Sequence, residues 1–225
     1  MIPFILKEGL YDPGIFKAFF LAGGPGSGKT YVTRKVTGGL GLKNVNSDAA
    51  FETGLKKAGL SLKMPDSEKE PRDKVRAKAK ALTQKSLEGY IGGRLGLVID
   101  STGRDYSNIA KPVMLLKQMG YDCYMIFVNT SLDVALKRNA ARDRTVAPDL
   151  VKKSWNTVQQ NMGKFQRIFG QKNMIILDNN NAKEDVLLGV YKQVLKLVKK
   201  PIQNHIAKKW MKREAEKRKA KWKRL

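Results

Sequence analysis

The sequence predicts an α/β fold in which helices cover both faces of a five-stranded parallel sheet. Four short apolar runs bounded by turn residues indicate buried strands at 18–22, 96–100, 123–128 and 173–178, and 42–46 is a weaker fifth. Segments with helical spacing separate these runs, and such alternation is typical of a parallel sheet covered on both sides. In such folds ligands bind beyond the carboxyl ends of the strands.

The helices are predicted from apolar spacing and from proline. Val113, Leu116 and Met119 recur every three residues, and apolar residues recur at spacings of four and three from Val151 to Phe169. Pro148 suits a first helical turn, which predicts a helix start near Ala147. The polar segment 61–84 is expected to be a loop followed by an exposed helix.

Composition predicts a basic protein with one main domain. The 225 residues carry 44 Lys and Arg against 20 Asp and Glu, and the net charge of +24 would attract nucleic acid or an anionic membrane surface. Residues 199–225 hold 12 basic and 2 acidic residues. We therefore expect a domain over 1–198, with its core at about 18–180, and a basic helix or tail over 199–225.

Several classes of protein are disfavoured. Cys123 is the only cysteine, so there is neither an internal disulfide nor a cysteine cluster for structural zinc. The opening MIPFILKEGL is too short for a secretory signal, and no run approaches the roughly 20 apolar residues of a membrane span. A cytoplasmic protein is expected, in the host cell if the source is viral.

The strongest motif lies directly after the first strand. Residues 23–30 match G-x-x-x-x-G-K-[ST], the phosphate-binding loop of the P-loop NTPase fold. Lys29 would reach the β- and γ-phosphates of ATP and Thr30 would ligate Mg²⁺, while glycines turn backbone amides inward. The predicted nucleotide-binding residues are Gly23, Gly24, Pro25, Gly26, Ser27, Gly28, Lys29 and Thr30. A GTPase is disfavoured, because AKED at 182–185 has alanine where a guanine-reading element needs Asn or Thr.

Two carboxylates follow neighbouring strands. Asp48, in VNSDAAF, is the candidate base that would accept a proton from an acceptor hydroxyl, or else it is the N-cap of the next helix. Asp100, which ends the second of the four strong apolar runs, would support Mg²⁺, or else it is a turn former. Ser101, Thr102 and Arg104 would project into the same crevice.

A basic segment over 136–151 supplies three arginines. Arg138 and Arg142 would share a helix face, with Arg144 just beyond it. Such arginines can close over transferring phosphates and offset the charge that builds there. The alternative is a solvated basic helix.

In the order GGPGSGKT, NSD, LVIDSTG and LKRNAAR…VAPDLV, residues 18–180 resemble the polynucleotide kinase and zeta toxin group of P-loop phosphotransferases. The lid segment resembles that of bacteriophage-type polynucleotide 5′-hydroxyl kinases. The resemblance implies a five-stranded sheet with a lid, contacts from Arg138 and Arg142 to the donor phosphates, and Asp48 as general base.

The acceptor side departs from the polynucleotide kinases. They carry an arginine three residues after the base, whereas this chain has Phe51, and the resulting D-x-x-F is closer to zeta toxins. STGRDY is similar to the substrate-side loop of zeta toxins, which implies acceptor contacts from Phe51, Thr102 and Arg104. No D-x-D-G-T phosphatase signature occurs, so we expect phosphorylation only.

The tail carries Ile202, Ile206 and Trp210 at four-residue spacing before it becomes almost wholly basic. In one interpretation this stripe docks on the domain or on a partner, while the Lys and Arg side chains and Trp222 bind the phosphates and bases of nucleic acid. In the other, the tail is a solvated helix. His205, the only histidine, is expected at the surface, and Cys123 is expected in buried packing.

Three functions remain open from the sequence. The first is a Mg²⁺- and ATP-dependent kinase of a hydroxyl on nucleic acid or a nucleotide, with a zeta toxin-like kinase of a UDP-amino sugar as its variant. The second is a nucleic-acid-binding ATPase without a phosphate acceptor, and the third is a structural nucleic-acid binder. The sequence does not reveal an antitoxin-like partner.

Overall fold

One parallel sheet forms the centre of the protein. The computed structural model describes residues 10–142 and 145–222, with side chains described as far as Ala220. The strands are β1 (Lys17–Ala22), β2 (Lys43–Val45), β3 (Leu97–Asp100), β4 (Asp122–Asn129) and β5 (Met174–Asp178). They pair in parallel in the order β2-β3-β1-β4-β5. The predicted α/β fold with five parallel strands is confirmed, and each strand matches its predicted run to within one residue at either end.

Helices connect the strands and cover the sheet. They are α1 (Lys29–Thr37), α2 (Asp48–Lys57), α3 (Lys69–Gly92), α4 (Ser107–Gln118), α5 (Leu132–Ala140), α6 (Pro148–Phe169), α7 (Glu184–Lys199) and α8 (His205–Trp222), with short 3₁₀ turns at Asp66–Glu68 and Gln171–Asn173. Helix α6 begins at Pro148, as predicted. Helix α3 follows the polar loop and is largely exposed, also as predicted.

Alternate residues of β1 supply the two halves of the core. Phe19 and Leu21 pack with α1 and α7 on one face of the sheet. Ala18 and Phe20 pack with α4 and α6 on the other, together with the predicted stripe of α6 and the buried Cys123. Each fully buried large side chain contributes about 1.5–3 kcal/mol, so β1 is fixed firmly in the centre of the sheet.

A smaller core joins α2 to α3. Phe51 and Leu55 have no exposed surface, and they pack against Ala79 with Val75 beside them. This cluster holds the long, polar α3 against the helix that follows β2. The two helices therefore form one wall beside the carboxyl end of the sheet.

The strand order changes direction at β1. The chain passes from β1 to the outer β2, returns to β3 next to β1, and then continues on the opposite side with β4 and β5. In open parallel sheets a crevice forms at such a point, beyond the carboxyl ends of the strands. Among the described residues, no helix combines the length and the apolar character needed to cross a membrane.

Candidate functional site

The phosphate loop leaves β1 at Gly23 and leads directly into α1. Gly26 and Gly28 have φ angles of 79° and 82°, in the left-handed region that favours glycine. A Cβ at Gly26 would collide with the backbone carbonyl of Ala135 in α5, and one at Gly28 would lie 2.5 Å from Asn179 Nδ2. The loop is thus packed closely between α5 and the segment after β5.

Asn179 is a member of the site that the sequence motifs do not include. Its Nδ2 donates a hydrogen bond of 2.7 Å to the carbonyl oxygen of Ser27, and its own backbone N–H donates to Asn129 O at 2.8 Å. The residue is buried and follows β5, so it ties the phosphate loop to the sheet edge beyond β4. Its place after the apolar run NMIILD is the signal that could have indicated it.

Lys29 and Thr30 open α1 and face the crevice. Lys29 Nζ donates a hydrogen bond of 2.6 Å to Gly23 O, across the loop. Burial lowers the pKa of Lys29, while the charges of Asp100 and Asp48 oppose that shift and Arg142 adds to it. Thr30 is exposed and lines the main cleft. A cation on the loop and an accessible hydroxyl beside it suit a triphosphate with its metal ion.

Asp48 and Asp100 are joined through Asn46, a second residue outside the predicted site. Asn46 Nδ2 donates to Asp100 Oδ2 at 2.8 Å, and Asn46 Oδ1 accepts from the backbone N–H of Asp48 at 2.7 Å. Asp48 is the first residue of α2, and Ser47 occupies the N-cap position. Both carboxylates line one cleft with Thr30. In the sequence, the position of Asn46 directly after the second strand, in VNSD, could have indicated this role.

Asp100 has the environment expected of a carboxylate that acts on a cation. It pairs with Leu21 in the β1–β3 register, one strand away from the phosphate loop. Burial raises its pKa, with Asp48 adding to the shift and Lys29 opposing it. Within residues 10–142 and 145–222, its buried Oδ1 has no hydrogen-bond partner. The same part of the chain holds no group of three acidic, His or Cys ligands, so a metal ion would also need phosphate oxygens and water.

Arg76 of α3 reaches the candidate base from outside the predicted motifs. Its Nη1 lies 3.4 Å from Asp48 Oδ1, and its guanidinium carbon lies 3.7 Å from the centre of the Phe51 ring. Phe51 has no exposed surface, so it supports Arg76 from below and is shielded from any ligand. The arginine lies among several basic residues in a charged helix, and no local pattern singles it out.

The loop after β3 lies next to the phosphate loop and meets it through its backbone. The backbone N–H of Gly23 donates to Thr102 O at 3.2 Å, and Asn161 Nδ2 of α6 donates to Gly103 O and Arg104 O at 3.1 and 2.9 Å. The side chains of Thr102 and Arg104 are exposed and do not line the cleft that holds Asp48. The structure therefore brings their backbone to the site.

The arginine segment is divided between helix and loop. Arg138 lies in α5 and donates to the carbonyl oxygens of Asn179 and Asn180 at 2.7 and 3.0 Å. Helix α5 ends at Ala140, so Arg142 lies beyond it and does not continue the same helical face. Asn139 joins the two ends of the following loop, since its side chain donates to Val146 O and accepts from Val146 N. Arg144 lies outside the described residues.

Two cavities meet at Arg142. The main cleft, of about 720 Å³, lies between α1, β2 and α2 and contains Thr30, Asp48 and Asp100. The second, of about 700 Å³, lies beside the phosphate loop and is lined by Tyr31, Arg138 and the segment after β5. Arg142 lines both. Arg142 therefore lies between two spaces on either side of the phosphate loop.

Solved structures share this fold. A candidate kinase from Chloroflexus aurantiacus J-10-fl aligns with a TM-score of 0.52 at 15% identity, over 80% of this chain and 96% of that chain. A chain of the AvrRxo1-ORF1:-ORF2 complex with ATP aligns with a TM-score of 0.53 at 18% identity, over 71% of this chain and 53% of that chain. A chain from the Pnkp1/Rnl/Hen1 RNA repair complex aligns with a TM-score of 0.50 at 19% identity, over 66% of this chain and 46% of that chain.

The family is shown by a match in sequence. A comparison with curated proteins found no match. Residues 19–165, more than half of the chain, match the family model described as AAA domain. This range contains the phosphate loop, Asp48, Asp100 and most of α6. The chain therefore belongs to this AAA domain family, and it shares its fold with the structures above.

Proposed function

We propose that the protein transfers the γ-phosphate of ATP to a hydroxyl of nucleic acid or of a nucleotide, as a member of the polynucleotide kinase and zeta toxin group. The observation that carries the proposal is the pair of carboxylates joined by Asn46 and facing one cleft with the phosphate loop. A second substrate in that cleft would meet Asp48 beside the donor phosphates.

The donor side uses the phosphate loop. Its backbone amides and Lys29 would hold the β- and γ-phosphates, and Thr30 and Asp100 fit a magnesium ion carried by ATP. Asp100 Oδ1, which is buried and has no hydrogen-bond partner among the described residues, is suited to a water of that ion. Magnesium would neutralise phosphate charge, while Arg138 and Arg142 would bind phosphate oxygens from the far side of the loop.

On the acceptor side, the Asp48 carboxylate takes the proton of the acceptor hydroxyl. The freed oxygen forms a bond to the γ-phosphorus as the bond from that phosphorus to the β,γ-bridging oxygen breaks, and ADP leaves with the electron pair. Arg144 is proposed to add positive charge over the same phosphate. Thr102 and Arg104, whose side chains lie outside the cleft, are proposed to contact a part of the acceptor that extends beyond it.

One observation favours the UDP-amino sugar variant of this proposal. The cleft of about 720 Å³ is within the size range of small-molecule sites, and polar side chains such as Asn44, Thr37 and Arg34 line it. A nucleotide sugar would present hydroxyls to these groups.

The deciding experiment is a transfer assay with [γ-³²P]ATP and Mg²⁺ on parallel acceptors: 5′-hydroxyl DNA, 5′-hydroxyl RNA and UDP-amino sugars. Label on one acceptor class is expected, and Asp48→Asn should abolish transfer while ATP binding is retained. Release of inorganic phosphate alone would identify an ATPase without an acceptor. A comparable rate in Asp48→Asn would show that Asp48 is not the base.

A further inference from the structure

Helix α8 packs along one side only. Ala207 has no exposed surface, and its backbone nitrogen approaches so closely that a Cβ on Gly120 would lie 2.9 Å from it. The Trp210 ring meets that of Phe16 edge to face at 5.5 Å, with the Arg94 guanidinium 5.8 Å away. Ile202, just before the helix, and Met211 complete this contact with the main core. Ala207, Trp210 and Met211 therefore pack inside the protein, whereas Ile206 of the predicted stripe is 39% exposed.

The opposite side of α8 is basic. At about 100° per residue, Ala207, Trp210, Met211, Glu214 and Arg218 share the inner face, and all five are buried or half-buried. Between His205 and Ala220, the outer face presents six exposed basic side chains and a single exposed acidic one, Glu216. The six are Lys208, Lys209, Lys212, Arg213, Lys217 and Lys219, of which Lys217 pairs with Glu214 at 2.7 Å. We call them the α8 basic face.

This face lies at the end of the sheet remote from the phosphate loop. Phe16 and Gly120 precede β1 and β4, so α8 sits at the amino ends of these strands. The phosphate loop begins at Gly23, after the carboxyl end of β1. The six residues of β1 lie between the two, a separation of about 20 Å at roughly 3.3 Å per residue.

We infer that the α8 basic face binds the phosphate backbone of nucleic acid at a site separate from the phosphoryl-transfer cleft. Helix α8 of 18 residues is about 27 Å long, at 1.5 Å per residue, and so matches several successive phosphates along one strand. A membrane surface would need an apolar helix face to insert, but Trp210 and Met211 pack against the core near Phe16, and as far as Ala220 the only exposed large apolar side chain of α8 is Ile206. Since the described part of this face exposes lysines and one arginine on a rigid helix, binding through phosphates is independent of base sequence.

The test is a binding measurement by fluorescence anisotropy with a labelled 20-base-pair DNA duplex and a labelled single-stranded RNA of the same length. The variant replaces Lys209, Lys212, Arg213 and Lys219 with Gln. The matched control replaces the exposed Lys69, Lys78, Lys80 and Lys85 of α3 with Gln, which removes the same charge elsewhere. Thermal unfolding of both variants checks that the fold is kept.

The α8 variant should bind the duplex at least tenfold more weakly at 50 mM salt than the wild type. The slope of log K against log salt concentration should fall by up to about 3.6, if each of the four charges displaces about 0.9 counterion. The α3 control should retain most of the affinity and slope. Equal losses in both variants, unchanged binding in the α8 variant, or binding of phosphatidylserine vesicles in preference to nucleic acid would each overturn the inference.

The outcome does not depend on the proposed kinase activity. Label transfer reports on the cleft, whereas the difference between the α8 and α3 variants in anisotropy reports on the α8 basic face. If the transfer assay fails while the α8 face binds nucleic acid, only the proposed function is lost. If transfer succeeds and the α8 variant binds normally, only the nucleic-acid site on α8 is lost.

Discussion

Arg76 and Asp48 face each other across the contact between α3 and α2, with 3.4 Å between Nη1 and Oδ1. The arginine is held over a buried aromatic ring, so it approaches the carboxylate in one orientation. It thereby restricts the Asp48 carboxylate, the base of the proposed transfer. If that proposal is right, Arg76 should affect the alignment of the acceptor more than the binding of ATP.

Arg76→Gln should therefore lower kcat/KM for the acceptor by about tenfold to a hundredfold, the scale of a 1 Å misplacement, with the affinity for ATP unchanged. Steady-state kinetics with the acceptor from the transfer screen measures this. Arg76→Lys should be intermediate, because it keeps the charge and loses the planar stack. Lys80→Gln, one turn further along α3 and exposed, is the control. A loss of ATP affinity in Arg76→Gln would assign the residue to the donor side.

Asn46→Ala should reduce both stability and activity. The substitution removes the donor to Asp100 and the side-chain acceptor for the Asp48 N–H, and the loss of each of these partly buried hydrogen bonds costs about 0.5–1.5 kcal/mol. Urea unfolding of the ligand-free protein measures the first effect, and label transfer measures the second. Asn44→Ala is the matched control, since Asn44 is exposed in β2 and lines the same cleft. Equal behaviour of the two variants would remove Asn46 from the site.

Asp100→Asn should raise the free energy of unfolding of the ligand-free protein at neutral pH. The folded-state pKa of Asp100 is raised above its ordinary value of 3.8, chiefly by burial, so the folded protein favours the protonated form. The wild type therefore loses stability as the pH rises from about 3.8 through the raised pKa, and the amide, which cannot ionise, does not. The advantage of the variant should vanish as the pH falls towards 3.8.

Urea unfolding between about pH 4 and about pH 7.5 checks this expectation for Asp100. Asp105→Asn provides the opposite case, because hydrogen bonds from Ser107 lower the pKa of the Asp105 carboxyl. At neutral pH the free energy of unfolding of Asp105→Asn should not exceed that of the wild type. In the same samples, Asp100→Asn should weaken the binding of Mg²⁺ with ATP, as expected if stability was given up for function. A variant less stable than the wild type at every pH would contradict the account.

Gly26→Ala should destabilise the protein and abolish tight ATP binding, because the new methyl group meets the Ala135 carbonyl and α5 must move. Gly59→Ala separates this collision from backbone strain. Gly59 has a φ of 68°, and a methyl group there would meet no atom within 4 Å, so only the left-handed backbone is strained, at about 1–2 kcal/mol. Thermal unfolding and binding of a fluorescent ATP analogue compare the two. Equal losses would mean that the loop tolerates the contact.

The fold and the donor half of the site follow from local sequence. Apolar runs identify strands because a strand covered on both faces needs apolar residues throughout, and the phosphate loop needs glycines at fixed positions. Asp48 and Asp100 follow from their places after strands. Asn46, Arg76 and Asn179 act through partners 54, 28 and 152 residues away, and no local pattern encodes such contacts.

Phe51 shows most clearly where prediction of the site from sequence fails. The pattern D-x-x-F placed this side chain among acceptor contacts, whereas it is completely buried and carries Arg76 on its ring. An aromatic residue one turn into an amphipathic helix is buried or exposed according to what packs against that helix. Here the partner is α3, whose apolar side is too weak to be read from sequence.

The anchorage of Arg138 and the hydrogen bonds of Asn139 give Arg138 and Arg142 different mechanical surroundings. Helix α5 touches the phosphate loop at Gly26, and Arg138 of this helix donates to the Asn179 and Asn180 carbonyls, so Arg138 is braced against the loop and the end of β5. Arg142 lies beyond the end of α5, between Asn139 and Val146, whose hydrogen bonds tie together the two sides of that segment. Arg138 is therefore held by the same contacts that support the phosphate loop, whereas Arg142, which lines both cavities, is not.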